Sequence, residues 1–246
     1  RYWCPPRKKL LDAFLDVRER MNKPLYLGES GENSNTWYAA MYPLCADFGI
    51  GYNIWCFKKM QTDNSPYSIP MPEGWNRITD YIAGGTQPSA AEAQRIFDAF
   101  LENCKLENCT YNPDVIPSIR RRPGSVWKAC DYTEAENVRL VDQNGVDTAE
   151  CRDSEMWEAT RTVFTQGSFA EYHLYAAGEK GSLALTADFD GVTLEIAEAG
   201  DVCLRTTVSG ERTLQVPLSG TGDRTVRITC HKGSFTLDTI SYSTQI

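Results

Sequence analysis

Short apolar runs ending in glycine or charge mark the first third of the chain, and short alternating segments mark its last half. Leu25-Tyr26-Leu27 runs into Gly28 and then Glu29, as a buried parallel strand does when it delivers a carboxylate to the rim of a sheet. A second run, Gly49 to Phe57, ends in Lys58-Lys59. A stretch of helical length separates the two, so the unit predicts strand, helix, strand. Ahead of it, Leu10, Phe14, Val17 and Met21 recur at a 3.6-residue period and predict a helix closed at Asn22. Trp37 to Phe48 predicts the helix between the strands, with Gly49 as its stop. Pro43 predicts either a kink in that helix or a late start to it.

The pattern then loosens. Gln61 to Gly74 is a loop rich in Pro, Ser and Asn, of a length that usually carries function or motion. Trp75 to Ala83 predicts a short helix stopped by Gly84-Gly85. Ser89-Ala90-Ala91-Glu92 is a capping box, opening a helix through about Asn103 with Ile96, Phe97 and Phe100 on its apolar face. Residues 105–122 carry prolines, the triplet Arg120-Arg121-Arg122 and little periodicity, which predicts a linker with a solvated basic run. From Val126 on, alternating segments predict strands at Val126–Cys130, Arg161–Phe164, Glu171–Tyr175, Leu183–Ala187, Thr193–Ile196, Val202–Thr207, Arg212–Leu218, Thr225–Cys230 and Phe235–Ser243. Turn residues such as Asp190-Gly191 and Ser209-Gly210 separate them, the signature of a β-sandwich or jelly roll.

Composition narrows the partners. A formal charge of -8 and a pI near 4.9 argue against nucleic acid and anionic membrane, and leave neutral polysaccharide open. No apolar run approaches the roughly 20 residues of a membrane span. The chain opens at Arg1, so any targeting segment is expected upstream of it. Nine cysteines include no Cys-x-x-Cys pair, and His173 and His231 are the only histidines, which speaks against zinc. Cys104 and Cys109 fit either a bridge across a short loop or two free thiols.

Gly28-Glu29-Ser30-Gly31, followed by Tyr52-Asn53-Ile54-Trp55-Cys56-Phe57-Lys58-Lys59-Met60, resembles the last two barrel strands of glycoside hydrolase family 5, the cellulase-type retaining β-glycanases. Asn64-Ser65-Pro66-Tyr67-Ser68-Ile69-Pro70 and Pro72-Glu73-Gly74-Trp75 are similar to that family's final loop. The resemblance covers roughly the first 85 residues. It implies that Glu29 is the nucleophile at the end of the seventh strand and that Trp55, on the eighth, stacks on the sugar being cleaved. Tyr2 would be the tyrosine of the sixth strand's motif, holding Glu29 by a phenolic hydrogen bond that favours its charged form. Lys58 would hydrogen-bond sugar hydroxyls, and Trp37 would line an outer subsite, with a place in the core equally open to Trp37. Glu32, past Gly31, competes with Glu29 as the carboxylate. Retaining hydrolysis needs a second carboxyl about 5 Å away, which the family places on its fourth strand, and no such strand is expected in this chain.

Pro123-Gly124-Ser125-Val126-Trp127-Lys128-Ala129-Cys130-Asp131-Tyr132 looks like the opening of carbohydrate-binding modules of families 6 and 35. Gly167-Ser168-Phe169-Ala170-Glu171-Tyr172 and Phe235-Thr236-Leu237-Asp238-Thr239-Ile240 also fit. Those families hold a structural calcium between a first-strand glutamate and a late aspartate. Asp238 matches the aspartate, but Cys130 stands in the glutamate's place, and a thiol is a poor ligand for a hard cation. Glu134 or Glu136 would have to substitute. An aromatic face can bury the apolar face of a pyranose; Trp157, in a polar stretch, is the candidate for that role here, ahead of Tyr132 and Phe189.

The expected architecture is the C-terminal portion of a (β/α)₈ barrel in residues 1–104, a linker in 105–122, and an all-β jelly-roll sandwich in 123–246. The expected function is part of a secreted retaining endo-β-1,4-glycanase acting on cell-wall β-glucan, inactive as this chain alone and requiring no cofactor, with a structural calcium in the sandwich left open. A non-catalytic polysaccharide-binding sandwich carrying a barrel remnant is the alternative, and a sandwich acting as a plain spacer is a third reading.

Overall fold

The computed structural model describes residues 5–148, 157–177 and 180–244. Helix α1 (Lys8–Met21) leads into strand β1 (Tyr26–Gly31), helix α2 (Asn35–Asp47) and strand β2 (Gly51–Trp55). β1 and β2 pair in parallel, with Gly31 opposite Trp55. This is the strand, helix, strand unit that the apolar runs predict. Gly31 is required there, because a Cβ at its φ of 138° would sit 2.1 Å from the Trp55 carbonyl oxygen. Among the described residues this sheet has two strands, and a barrel is not seen. The apolar stripe of α1 is buried at Leu11 but leaves Phe14, Val17 and Met21 exposed, beside an exposed Tyr26 on β1.

Helix α2 begins at Asn35, two residues before the predicted start, because Ser34 caps it by accepting from the Trp37 amide. It runs unbroken through Pro43. A proline cannot donate to the carbonyl four residues back, so the Ala39 carbonyl needs another donor. Arg121 supplies it, from Nε at 2.6 Å.

Short strands β3 (Lys58–Met60), β4 (Tyr67–Ile69) and β5 (Thr110–Tyr111) form a small separate sheet. Helices α3 (Trp75–Ile82) and α4 (Ala90–Asn103) lie between β4 and β5 in the chain, and Ser89 caps α4 as the capping box predicts. Cys104 and Cys109 are not bridged; Cys109 donates to the Lys105 carbonyl at 3.3 Å. The predicted linker is ordered: it holds β5 and helix α5 (Val115–Ile119). The expectation of a solvated basic triplet fails at Arg121, which is only 2% exposed.

Beyond α5 the described chain is mostly strand, with a short helical turn at residues 157–158. One sheet has the order β13-β12-β15-β10-β7, made of β7 (Glu134–Glu136), β10 (Phe169–Ala177), β12 (Val192–Glu198), β13 (Asp201–Val208) and β15 (Thr221–Lys232). The other has the order β14-β11-β16-β9-β8, made of β8 (Arg139–Val141), β9 (Arg161–Thr165), β11 (Gly181–Phe189), β14 (Thr213–Leu218) and β16 (Ser234–Thr244), with β6 (Val126–Lys128) also pairing β16. All these pairings are antiparallel. The alternating residues interdigitate in one core: β12 buries every second residue, and Phe164 stacks on Phe235 with ring centroids 4.7 Å apart. All nine predicted strands are present; β7 and β8, three residues each, carried too little periodicity to be read.

The two halves share their packing. Ala39 of α2 lies in the sandwich core, while Cys130 and Trp157 of the sandwich half pack with Leu11, Trp37 and Met41. No helix among the described residues is long and apolar enough to cross a membrane.

Candidate functional site

The residues singled out near the parallel pair separate into surface and scaffold. Glu29 is exposed on β1 near its carboxyl end, and Trp55 ends β2 with about half its surface open. Lys58 does not reach toward them freely, because its ammonium donates to the Cys104 carbonyl. Glu32 forms an ion pair with Lys59. Tyr2 lies outside the described residues. Trp37 is 1% exposed and meets Tyr38 and Tyr42 edge-on, at 6.0 and 6.2 Å, so it belongs to the core and not to an outer subsite.

Two tyrosines that the sequence did not single out set this rim. The Tyr42 hydroxyl donates to the Ser30 carbonyl at 3.1 Å, and Ser30 Oγ donates to the Asn53 carbonyl at 2.8 Å, tying the end of β1 to β2. The Tyr38 hydroxyl donates to the Asn64 carbonyl at 2.7 Å and fixes the long loop. Burial pushes the Tyr38 phenol up to about 12, so it stays a donor at neutral pH.

In the sandwich half the aromatic candidates are inside. Trp157 is fully buried and its Nε1 donates to Asp131 Oδ1 at 2.7 Å; Phe189 packs on Phe235 in the core. Tyr132 is half-buried against the same core. These positions give no open platform for a sugar ring. Tyr175, also half-buried, is covered by the guanidinium groups of Arg120 and Arg122, at 4.6 and 4.7 Å from its ring.

Asp131 is buried, and only its Oδ1 has a donor; Oδ2 has none. Burial pushes its carboxyl up to about 6, against the opposing pull of the Arg121 charge and the Trp157 hydrogen bond. The folded chain therefore holds a proton there between about pH 4 and 6 that the unfolded chain has already released. Stability falls as pH rises through that window, by on the order of 2 kcal/mol. Chemical denaturation at pH 4, 5 and 6 is expected to show this slope in the wild type and to lose that part of it in Asp131→Asn.

The residues around Asp238 do not fit a calcium site. The buried ammonium of Lys128 forms an ion pair with Asp238, and Glu134 and Glu136 sit exposed on β7 in the opposite sheet. Among the described residues no cluster of three His, Cys, Asp or Glu side chains is placed to hold a metal. Chelation with EDTA is expected to leave the thermal midpoint unchanged; a drop reversed by added calcium would contradict this.

A cavity of about 750 Å³ opens at one rim of the sandwich, between the β12–β13 turn and the β14–β15 connection. Its walls include Lys180, Glu198, Asp201, Ser219 and Arg224. Glu198 is buried, accepts from the Ser219 amide at 3.2 Å, and stands 3.3 Å from Arg224 Nε. Gly220 lets the guanidinium lie against the backbone, since a Cβ there would come within 2.6 Å of it. Apolar residues such as Val202 and Leu218 share the lining with these charged groups, and no aromatic side chain is among the described residues that line it. Glu198 ends β12 and Arg224 lies four residues into β15, and neither charge stands out in the alternation that reveals those strands.

No family model matches the sequence, and no curated protein matches it. Solved structures do align with half of it. A family 6 carbohydrate-binding module from Cellvibrio mixtus lichenase 5A, in complex with cellotriose, is 16% identical over 50% of this chain and 98% of its own, with a TM-score of 0.38. A family 6 module from Clostridium stercorarium, in complex with cellobiose, is 14% identical over 49% and 94%, with a TM-score of 0.36. A family 36 module in complex with calcium and xylotriose is 12% identical over 48% and 99%, with a TM-score of 0.34.

Proposed function

We propose that this chain binds a neutral β-linked cell-wall polysaccharide outside the cell, through the sandwich half. The rim cleft carries this reading. Sugar hydroxyls are recognised by preset pairs of donors and acceptors, and the array is preset by the Ser219 amide's hydrogen bond to Glu198 and by the Glu198–Arg224 ion pair. The resemblance of residues 123–132 to carbohydrate-binding modules supports the same class of ligand. Affinity electrophoresis of the full chain through gels containing β-glucan, xylan or mannan tests it. Retardation in at least one gel is expected; unaltered migration in all three would overturn the reading.

A second reading concerns the parallel pair. Glu29 and Trp55 lie toward the same, carboxyl ends of adjacent parallel strands, where barrel enzymes place their chemistry. In this reading the pair is the nucleophile-bearing part of a retaining β-glycanase. Glu29 would attack the anomeric carbon, Trp55 would carry the sugar, and further strands would cover Phe14, Val17 and Tyr26. The second carboxyl, the general acid and base, would come from those strands. Reducing-sugar release from soluble β-glucan is therefore expected to be absent for this chain. Release that persists in Glu29→Gln would remove Glu29 from the role.

A further inference from the structure

A second polar cavity, of about 340 Å³, lies in the seam where α2 and β2 meet the sandwich. Its size is at the lower end of the roughly 300–1,000 Å³ common for ligand pockets. Asp47 of α2 and Tyr52 of β2 form one wall, and His173 of β10 with Asp223 and Arg224 of β15 form the other. Arg120, the C-cap of α5, completes it. These groups are held in place. His173 Nδ1 lies 3.0 Å from Asp47 Oδ1, Arg120 donates to Asp223 Oδ1 at 3.2 Å while stacked on Tyr175, and Arg224 leans on Glu198.

The wall chemistry narrows the ligand. Two arginines balance two aspartates, so a ligand of strong charge meets repulsion as well as attraction. An apolar ligand would desolvate these groups without replacing their hydrogen bonds, which is costly. A polyhydroxylated ring with one apolar face suits both the charged groups and the half-buried Tyr52. Arg224 also lines the rim cleft, so the two cavities share this residue.

We propose that the seam cavity is a glycan subsite, taking one neutral sugar unit of a chain whose neighbouring units occupy the rim cleft. This rests on the polysaccharide-binding reading. The subsite is built by both halves of the molecule, so α2 and β2 take part directly in binding.

The test uses the full chain with Arg120→Met and Asp47→Asn, neither of which lines the rim cleft. Migration is measured in whichever gel retards the wild type, with neutral β-1,4-linked oligosaccharides of increasing length as competitors. Each variant is expected to bind roughly ten-fold more weakly, the effect of losing a hydrogen bond to a charged group. Each is also expected to lose the gain in competition that longer oligosaccharides show against the wild type, with an unchanged thermal midpoint. Variants of wild-type midpoint that bind as tightly as the wild type at every length would overturn the subsite alone. A wild type retarded in no gel would overturn the polysaccharide reading, and the subsite with it.

Discussion

Arg121→Ala is expected to cost on the order of 4 kcal/mol of folding stability, measured by urea denaturation of the full chain. The guanidinium is buried and donates to three carbonyls on three elements: Ala39 of α2, His173 of β10 and Asp131 after β6. Each orphaned buried carbonyl costs about 1–3 kcal/mol. The Ala39 carbonyl depends on it because Pro43 has no amide hydrogen to offer. Pro43→Ala restores that hydrogen, so the double variant is expected to regain about 1 kcal/mol relative to Arg121→Ala. Arg121→Lys is expected to behave almost as badly as Arg121→Ala, since one ammonium cannot reproduce a planar fork aimed at three acceptors. A loss within the range of ordinary surface changes would mean that the seam is not held by this residue.

Trp157→Ala is expected to lower stability by about 3–5 kcal/mol, the usual cost of emptying a buried aromatic site. Its indole fills the space among Leu11, Trp37 and Met41, and its Nε1 gives buried Asp131 its indole hydrogen bond. Trp157→Phe separates the two effects: it keeps most of the volume and removes the donor. That variant is expected to lose more at pH 8 than at pH 5, because the missing bond matters most to the charged carboxylate. Equal losses at both values would mean that packing alone is at work. A ligand-stacking role predicts the reverse pattern for Trp157→Ala: weaker glycan binding at unchanged stability.

Periodicity carried the fold and failed at the site. Nine of the eleven described strands of the sandwich half were readable because one face of each sheet is buried, which forces alternation along β11, β12, β14 and β16. The unit of β1, α2 and β2 was readable from the two apolar runs and the intervening helix. Trp157 was misplaced, and Trp37 left open between subsite and core, for one reason: an indole suits a sugar platform and a core equally, and only tertiary packing separates them. The Arg121 error is of the same kind. A run of three arginines signals solvent unless the structure supplies buried acceptors, and here a proline on another element creates one. Lys128 next to Asp238 was within reach of sequence reasoning, because a lysine two residues before Cys130 was there to be weighed as an internal cation. The Glu198 and Arg224 array had no such signal, being assembled from the end of β12 and the start of β15.

The central claim is that the full chain binds a neutral β-linked glycan. Isothermal titration of soluble β-glucan, xylan and mannan into the intact protein measures this most directly. Saturable, exothermic binding of at least one of them is the expected result, as for a site that binds through polar contacts. A weaker signal is expected in Arg120→Met. Heats no larger than those of dilution for all three polysaccharides would contradict it.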